Sequence, residues 1–364
     1  MTVEKLLSVI YEHSLPRVRE LASGVDALYL SGRAAISTDL EFALNEARAH
    51  ADKTDDSVTF ILGGVEMQLQ ARGFGKYRFS LDHLFGRVGI TASKSLPAIR
   101  VQPRAEFLHG VGPRAAVEWF AQHLEGACGP VLLTVSRLDL FADFQGWSLS
   151  GDDRREFLTR ATELGLHEAS DEFNGLQFGK RTSGAISARL YDKTIESAKA
   201  GSLYWRDIWG ENFDRDQSVL RVEFELARDA LRQFGVNRSD EVLDATGSLW
   251  THLTTQWLTH RKVTDDQNKS RWPISAEWKC VQRARIGEND YGISRTYGGK
   301  ALGQIWNILP ALTGYLANFG ALTHSDSFAD LIPHLSNFLA QYAERTATTM
   351  RERIADKRRK NGLI

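Results

Sequence analysis

The chain of 364 residues is long enough to bury a sizeable core, and its composition, 42% hydrophobic and 25% charged, is that of a globular protein. A net charge of −1 excludes a generally basic nucleic-acid coat, and no apolar run approaches the ~20 residues that span a bilayer. The two cysteines, Cys128 and Cys280, have no partner at metal-ligand spacing, which excludes a cysteine-based zinc site and favours a cytoplasmic protein.

Hydrophobic spacing predicts helices at the start of the chain. Residues 1–52 contain VEKLLSVIYEH and STDLEFALNEARAHA, the second with Ser37 or Thr38 as its N-cap. From Asp56 the period changes to two. VTFIL and VEMQL then flank a Gly-Gly pair as a hairpin, and KYRFSLDH, RVGITAS and IRVQP follow as strands. Helical spacing returns in PRAAVEWFAQHLEGA.

The middle of the chain contains the clearest strand, GPVLLTVSRLDLFADF. The pattern then predicts a helix from about Asp152 to Gly165, a hairpin over residues 175–193 and a strand in SVLRVEFELA, with helices from Arg228 almost to the end. We therefore expect an α+β fold, a mainly antiparallel sheet with flanking helices followed by a mostly helical C-terminal region. The expected parts are an N-terminal helical segment (1–55), a sheet-based domain (56–236) and a helical C-terminal region (237–364).

Three of the expected strands pair an apolar face with a charged face, because side chains alternate along a strand. In SRLDLFADF, for example, the leucines share one face and the acids share the other. If the three strands are neighbours in the sheet, their charged faces converge into one site. Those faces carry Arg137, Asp139 and Asp143 on the first strand, Arg189, Tyr191 and Lys193 on the second, and Arg221, Glu223 and Glu225 on the third.

Such a set of side chains has a defined chemical use. Carboxylates at close range repel unless a cation neutralises them, and hard oxygen ligands suit Mg²⁺ or Mn²⁺. No two of the ten histidines are two or four residues apart, so any metal is expected on carboxylates. A tyrosine hydroxyl, with an ordinary pKa of about 10, becomes a nucleophile when cations such as Arg189 and Lys193, on the same face as Tyr191, lower that pKa. The alternative is an exposed sheet whose acids simply pair with basic residues, and the pattern alone leaves both open.

Basic clusters are the candidates for contacts with DNA. Between residues 258 and 285, seven Lys or Arg stand against three Asp or Glu, and Trp257, Trp272 and Trp278 lie in or beside this stretch. Basic residues with interleaved aromatics can bind phosphates and stack bases, although the same pattern fits a solvated surface whose tryptophans turn inward. Residues 341–364 have the same balance of seven against three. The candidates for DNA contacts are Lys180, Arg181, Arg261, Lys262, Lys269 and Arg271.

The order R-x-D-x-x-x-D, G-x-R-x-S, R-x-Y-D-K-x-x-E and R-x-E resembles the replication initiation factor family. This family comprises rolling-circle initiators of certain Gram-positive plasmids, with related replication proteins of filamentous phages and relaxases of integrative elements. The resemblance covers about residues 130–236. The matching residues are Arg137, Asp139, Asp143, Gly179, Arg181, Ser183, Arg189, Tyr191, Asp192, Lys193, Glu196, Arg221 and Glu223.

The resemblance implies that Tyr191 nicks one strand at an origin and stays joined to its 5′ end, which leaves a 3′ hydroxyl to prime synthesis. It also implies Mg²⁺ or Mn²⁺ held by acidic residues, with Asp139 and Glu223 as the first choices and Asp143 and Glu225 as the second.

The same resemblance implies that Arg189 and Lys193 bind the scissile phosphate or stabilise the phenolate. The expected partners are origin DNA, a host helicase and polymerase, and a second copy of the chain, with no membrane. Three alternatives remain at this point: a relaxase with the same chemistry, a non-catalytic origin-binding protein, and a metal-dependent nuclease that uses water as its nucleophile.

Overall fold

The structure is a computed structural model that describes residues 18–169, 172–181, 184–202, 204–287, 312–313, 315–346 and 348–360. The chain divides into two compact units, Met1–Thr296 and Tyr297–Ile364. The boundaries expected at residues 56 and 237 stay predictions. Two further expectations, the helix in VEKLLSVIYEH and the role of Ser183 in the motif, lie outside the described residues. Within the described ranges, every helix is too short or too polar to cross a membrane.

The strands belong to the first unit, and eleven of them form one antiparallel sheet, as expected for the α+β class. In chain order the strands are β1 (Arg19–Arg33), β2 (Val58–Leu62), β3 (Val65–Leu69), β4 (Phe79–His83), β5 (Gly86–Ile90), β6 (Ile99–Pro103), β7 (Leu132–Gln145), β8 (Phe157–Thr159), β9 (Leu164–Ala169), β10 (Glu172–Phe178), β11 (Ile186–Asp192), β12 (Leu220–Ala227) and β13 (Leu258–His260). Across the large sheet the order is β2-β3-β4-β5-β6-β1-β7-β12-β11-β10-β9, and β8 pairs with β13 separately.

The helices lie between and after the strands. They are α1 (Thr38–Thr54), α2 (Ala105–Val111), α3 (Pro113–Cys128), α4 (Lys193–Ala200), α5 (Trp205–Trp209), α6 (Arg228–Gln233), α7 (Ser239–Asp244), α8 (Thr246–His252), α9 (Ala276–Arg283), α10 (Phe328–Thr346) and α11 (Met350–Lys360). Helix α1 begins as expected, because the Ser37 hydroxyl accepts a hydrogen bond from the Leu40 N–H at 3.2 Å. The hairpin of β2 and β3 also forms as expected, with positive φ at both Gly63 and Gly64.

Strand β1 lies in the middle of the sheet, where the sequence pattern predicted a helix. The prediction of helices over residues 1–52 is therefore wrong for Arg19–Arg33, which pairs with β6 and β7. The register of β1 against β7 shifts at three places, one of them between Val25 and Ala27. Each bulge moves the inward-facing positions by one residue, so the strand does not alternate along the sequence and its pattern is hidden.

The helix predicted from Asp152 to Gly165 is also wrong. A short 3₁₀ turn, Asp152–Arg155, is followed by β8 and then by β9. Phe157 of β8 pairs with His260 of β13, and its ring lies 5.0 Å from the ring of Phe178. This long-range pairing overrides the local helical spacing of the segment.

The main apolar core is shared by the sheet and by helices α6 to α9. The ring of Phe224 on β12 lies 5.4 Å from Trp250 and 6.1 Å from Trp257, and all three are buried. The helices that follow β12 thus complete the core of the first unit. The other face of the sheet carries a small separate apolar cluster, formed by Phe141, Trp205, Trp209 and Val219.

The described part of the second unit is helical, as expected for the C-terminal region. Its rings of Phe319 and Phe338 pack edge to face at 5.6 Å. Helix α11 is tied to α10 by Arg353, whose Nη2 donates to the Thr346 hydroxyl at 3.0 Å. The basic residues at the end of the chain therefore begin on a helix.

Candidate active site

The three strands with charged faces are neighbours in the sheet, in the order β7-β12-β11. Glu225 is paired with Asp139 on one side, and Glu223 is paired with Arg189 on the other. Directly paired residues of antiparallel strands project to the same face. The expected convergence of the charged faces is therefore present in the structure.

Tyr191 and Arg189 meet on one carboxylate of this face. The Tyr191 hydroxyl donates a hydrogen bond to Glu223 Oε2 at 2.8 Å. Arg189 Nη2 donates to the other oxygen, Oε1, and its guanidinium lies 5.1 Å from the centre of the Tyr191 ring. Glu223 is only 2% exposed, so this carboxylate is held almost entirely by protein groups.

A second ion-pair group lies beside it. Arg137 donates through Nε to Asp139 Oδ1 at 2.8 Å and forms a second bond through Nη2 to the other oxygen. The same Nη2 lies 2.9 Å from Glu225 Oε2, and Arg181 Nε donates to that oxygen at 3.2 Å. Asp139 is 1% exposed and Glu225 is 8% exposed. The acids of this face are therefore buried, and each is paired with an arginine.

The third group is the most deeply buried. Arg221 donates to both oxygens of Asp143, at 2.7 and 2.8 Å, and to Asp26 Oδ1 at 2.8 Å. Trp209 Nε1 donates to Asp143 Oδ2 at 2.8 Å. The guanidinium of Arg221 lies 3.9 Å from the centre of the Trp205 ring. Arg221 and Asp143 have no exposed surface, so their role in this face is to fix it in place.

Lys193 is the first residue of α4, so the strand ends one residue earlier than the motif suggests. Its ammonium group still reaches the site: Nζ lies 4.8 Å from the Trp205 ring and 6.0 Å from the Tyr191 ring. Nζ also donates to Glu196 Oε2 at 2.5 Å. The side chain is buried, so Lys193 is a fixed positive charge beside the tyrosine.

Burial and charge shift the acid–base behaviour of the site. Burial raises the pKa of Tyr191 well above its ordinary value, and Glu223 raises it further, while Arg221 and Arg189 act in the opposite direction. The sequence led us to expect a lowered pKa, but desolvation outweighs the cations. Burial also raises the pKa of Asp139 to about 7, with Arg137 lowering it and Glu223 raising it.

An open cleft of about 500 Å³ runs over this face. Asp139 and Glu223 form part of its wall. The charged residues along it are five arginines, Arg87, Arg104, Arg137, Arg181 and Arg189, and five acids, Asp26, Asp82, Glu106, Asp139 and Glu223. A divalent cation in the cleft would give this balanced wall a net positive charge, which suits a phosphodiester.

The carboxylates differ in how well they fit a metal ion. Asp139 and Glu223 line the cleft, and each is held by an arginine, Arg137 and Arg189 respectively. Their oxygens are of the kind that Mg²⁺ and Mn²⁺ prefer, and metal binding by them stays a prediction that requires the arginines to move aside. Both oxygens of Asp143 are held by Arg221, and Glu225 is bound by Arg137 and Arg181. Metal binding by these two stays a prediction with less support.

The predicted DNA-contact residues fall into two places. Arg181 lines the cleft, whereas Lys180 is exposed and forms an ion pair with Glu163 at 2.8 Å. The other four lie in the segment that follows β13. Arg261 donates to the Trp272 carbonyl and Lys269 to the Arg155 carbonyl, Arg271 lies 3.5 Å from an oxygen of Asp266, and Lys262 is exposed.

Two of the three tryptophans near this loop turn inward, as in the alternative of a solvated surface. Trp257 and Trp278 are 3% and 0% exposed and turn into the core. Trp272 is partly buried, with Lys269 Nζ 5.8 Å from its ring. At most one tryptophan of the stretch is therefore available for a base.

Four residues of the site were not predicted from the sequence. Asp26 lies at the bulge of β1, between the paired residues Val25 and Ala27, so strand alternation could not assign its direction. His109 on α2 approaches Asp26, with Nε2 3.6 Å from Oδ1. The pair Trp205 and Trp209 on α5 covers Arg221 and Asp143. The W-x-x-x-W spacing is the one signal that could have pointed to a shared helix face.

No family model and no curated protein matches the sequence. Among solved structures, the chain is similar to one described as a rolling circle replication initiator protein from Geobacillus stearothermophilus, with 17% sequence identity and a TM-score of 0.41. The similarity covers 75% of this chain and 99% of that one.

Proposed function

We propose that the chain is a site-specific DNA-nicking enzyme that initiates rolling-circle replication, with Tyr191 as its nucleophile. The observation that carries the proposal is the 2.8 Å hydrogen bond from Tyr191 Oη to a buried carboxylate oxygen of Glu223, with Arg189 on the other oxygen. A general base must lie within hydrogen-bond reach of the proton that it removes, and Glu223 meets this condition. The cleft above supplies arginines for a phosphate.

The proposed step is a transesterification at one backbone phosphate. The Tyr191 oxygen attacks phosphorus while its proton passes to Glu223. The bond from phosphorus to the 3′ oxygen of the other fragment breaks, and that oxygen takes a proton from water. The products are a 5′-phosphotyrosine and a free 3′ hydroxyl, so no oxidant or nucleotide is consumed.

The raised pKa of Tyr191, caused by burial and by Glu223, keeps the phenol protonated at neutral pH in the free protein. Its proton is therefore removed as the new bond forms, rather than beforehand. Arg189 and Lys193 lie 5.1 and 6.0 Å from the centre of the ring and would stabilise the charge that develops on the phenol oxygen and the phosphate. Arg181 would bind a neighbouring phosphate in the cleft.

Asp139 and Glu223 would hold Mg²⁺ or Mn²⁺, Glu223 through the oxygen that Arg189 occupies, while its other oxygen stays available for the proton of Tyr191. The bound ion would neutralise part of the phosphate charge and polarise phosphorus. Arg137 and Arg189 occupy these carboxylates in the free protein and keep them from repelling each other. A newly formed 3′ hydroxyl would be extended by a host polymerase behind a host helicase. These partners, like a homodimer, stay predictions.

The test is the formation of a covalent protein–DNA adduct. Supercoiled and single-stranded DNA carrying the sequence around the gene is incubated with the chain and Mg²⁺ or Mn²⁺, then run under denaturing conditions. We expect an adduct with the wild type and none with Tyr191→Phe, while DNA binding is retained. Tyr342→Phe, at an exposed tyrosine of α10, is the matched control and should form the adduct normally.

Each alternative function predicts a different result. Nicking without an adduct that survives in Tyr191→Phe would indicate a nuclease that uses water. Salt-dependent DNA binding without any nick would indicate a non-catalytic origin-binding protein. A relaxase shares the chemistry, and it is distinguished by cleavage at a transfer origin instead of a replication origin.

A further inference from the structure

We propose that the first unit contains a second, separate metal site, formed by Asp153, Glu156 and His260, which binds a divalent transition ion such as Zn²⁺. One ligand atom from each of the three lies within 4.8 Å of the others. Asp153 lies in the 3₁₀ turn, Glu156 ends that turn just before β8, and His260 is the last residue of β13, which is distant in the sequence but pairs with β8. This inference does not depend on the nicking reaction.

One imidazole nitrogen of His260 is buried and makes no hydrogen bond to the described residues. The His260 side chain is 7% exposed, and its Nε2 has no hydrogen-bond partner within the part of the chain that the structure describes. Glu156 Oε2 lies 3.5 Å from Nε2. A buried polar atom without a partner costs free energy, and a metal ion bound at Nε2 would remove that cost.

The hydrogen bond at the other ring nitrogen of His260 suits a metal ligand. Its Nδ1 lies 2.9 Å from the Ser275 hydroxyl, which also accepts the N–H of Trp278 as the N-cap of α9. A proton on Nδ1 can donate to the second lone pair of that hydroxyl and leave the Nε2 lone pair directed at the carboxylates. A ligating histidine usually donates its other ring N–H to such a partner.

The distance between the ligand atoms also fits a bound metal ion. Zn²⁺ bonds to nitrogen and oxygen are about 2.0–2.2 Å long, so the ligand atoms of a tetrahedral site lie about 3.4 Å apart. The separation of His260 Nε2 from Glu156 Oε2 already has this value. Asp153 is positioned by hydrogen bonds from the Ser150 N–H and hydroxyl to its Oδ2. Glu156 is about one-third exposed, so its side chain is able to adjust.

The chemistry of the ligands selects the class of metal. One imidazole and two carboxylates suit Zn²⁺ or a neighbouring transition ion, whereas Mg²⁺ prefers oxygen ligands alone. Such an ion would join the 3₁₀ turn to the two-stranded sheet of β8 and β13. It would also fix the start of the basic loop, because the Arg261 N–H donates to the Glu156 carbonyl at 2.8 Å and Lys269 Nζ to the Arg155 carbonyl at 2.7 Å.

The experiment measures Zn²⁺ bound to the full chain. The protein is stripped with a chelator, titrated with Zn²⁺ and followed by calorimetry, and Co²⁺ is used in parallel for its visible absorption. We expect a tight site whose affinity falls by about 100-fold or more in Glu156→Gln and in His260→Gln, beyond what outer-shell losses cost, while any weaker binding at the carboxylates of the cleft is unchanged in both variants. Glu156→Gln is the safer variant for folding, since this side chain is partly exposed.

Two controls separate this site from others. Glu223→Gln should keep the Zn²⁺ site, because Glu223 belongs to the cleft of Tyr191. His167→Gln, at an exposed histidine, should also keep it. The proposal is overturned if the wild type binds no Zn²⁺, if Glu156→Gln and His260→Gln bind it as the wild type does, or if Glu223→Gln removes it. A Mg²⁺ titration that saturates the same site equally well would contradict the proposed class of metal.

Discussion

Basic residues are concentrated in two regions of this protein, and their side chains have different surroundings in each. Between β7, β12 and β11 the arginines are paired with buried carboxylates and surround a tyrosine. In the segment that follows β13, the basic side chains bond to backbone carbonyls or remain exposed, while Trp257 and Trp278 enter the core. The first arrangement holds charged side chains in a fixed geometry that suits catalysis. The second offers charge only at the surface.

The difference shows what a charge pattern can reveal. On adjacent strands, alternation puts every second residue on one face, so acids and bases found by spacing do meet. In a loop no such periodicity exists, and the direction of each side chain depends on what it packs against. Four variants would sharpen or break this contrast.

The largest expected effect is loss of the buried charge beneath the site. Arg221→Met leaves Asp143 and Asp26 without their shared cation, and removing one partner of a buried pair destabilises by about 3–5 kcal/mol. Urea unfolding followed by circular dichroism measures it. Arg238→Met is the control, since its ion pair with Asp240 is exposed and should contribute nothing measurable. Equal stability of both variants would show that the buried network is not structural.

The next effect is on chemistry. Glu223→Gln keeps the shape of the side chain but removes the base, so the rate of adduct formation should fall by about 10²–10⁴-fold while DNA binding remains. Single-turnover assays measure it, with Glu66→Gln on the exposed face of β3 as the control. The double variant with Tyr191→Phe should be no worse than Tyr191→Phe alone, because the two residues act as one unit. A Glu223→Gln enzyme with the wild-type rate would refute the assignment of the base.

The third effect is a dependence of stability on pH. The pKa of Asp139 is raised by burial from 3.8 to about 7, so the folded chain holds a proton that the unfolded chain has lost. The stability that this group contributes is present below the unfolded pKa and is lost as the pH rises through the folded pKa. In chelator, the wild type should lose stability from about pH 4 to about pH 7, and Asp139→Asn should lose less. An unchanged pH slope in Asp139→Asn would show that Asp139 is ionised throughout.

The smallest effects are on DNA affinity, and they compare the two regions directly. Arg181→Ala in the cleft should weaken binding and reduce the slope of log affinity against log salt by about one. Lys262→Ala in the exposed loop should change both quantities less. Fluorescence anisotropy at several salt concentrations measures the slopes. The reverse order would place the main DNA contact on the loop instead of the cleft.

Much of the site could be predicted from the sequence because it rests on local rules. Alternation correctly put Tyr191, Glu223 and Asp139 on converging faces, and the Gly-Gly hairpin and the Ser37 cap formed as expected. The sign of the tyrosine pKa shift was not predictable, since desolvation depends on the depth of burial. The same holds for Asp143, whose two oxygens are taken by Arg221.

What the sequence by itself determined is the chemical inventory of the site and the strands that carry it, because a period of two is a property of the extended chain. Only the tertiary structure decided that β1 lies in the middle of the sheet, that Asp26 pairs with Arg221 and that His109 approaches Asp26. It also decided that β8 pairs with β13 and brings His260 to Glu156. These contacts join residues distant along the chain, and bulges and long-range pairing leave no local period from which to infer them.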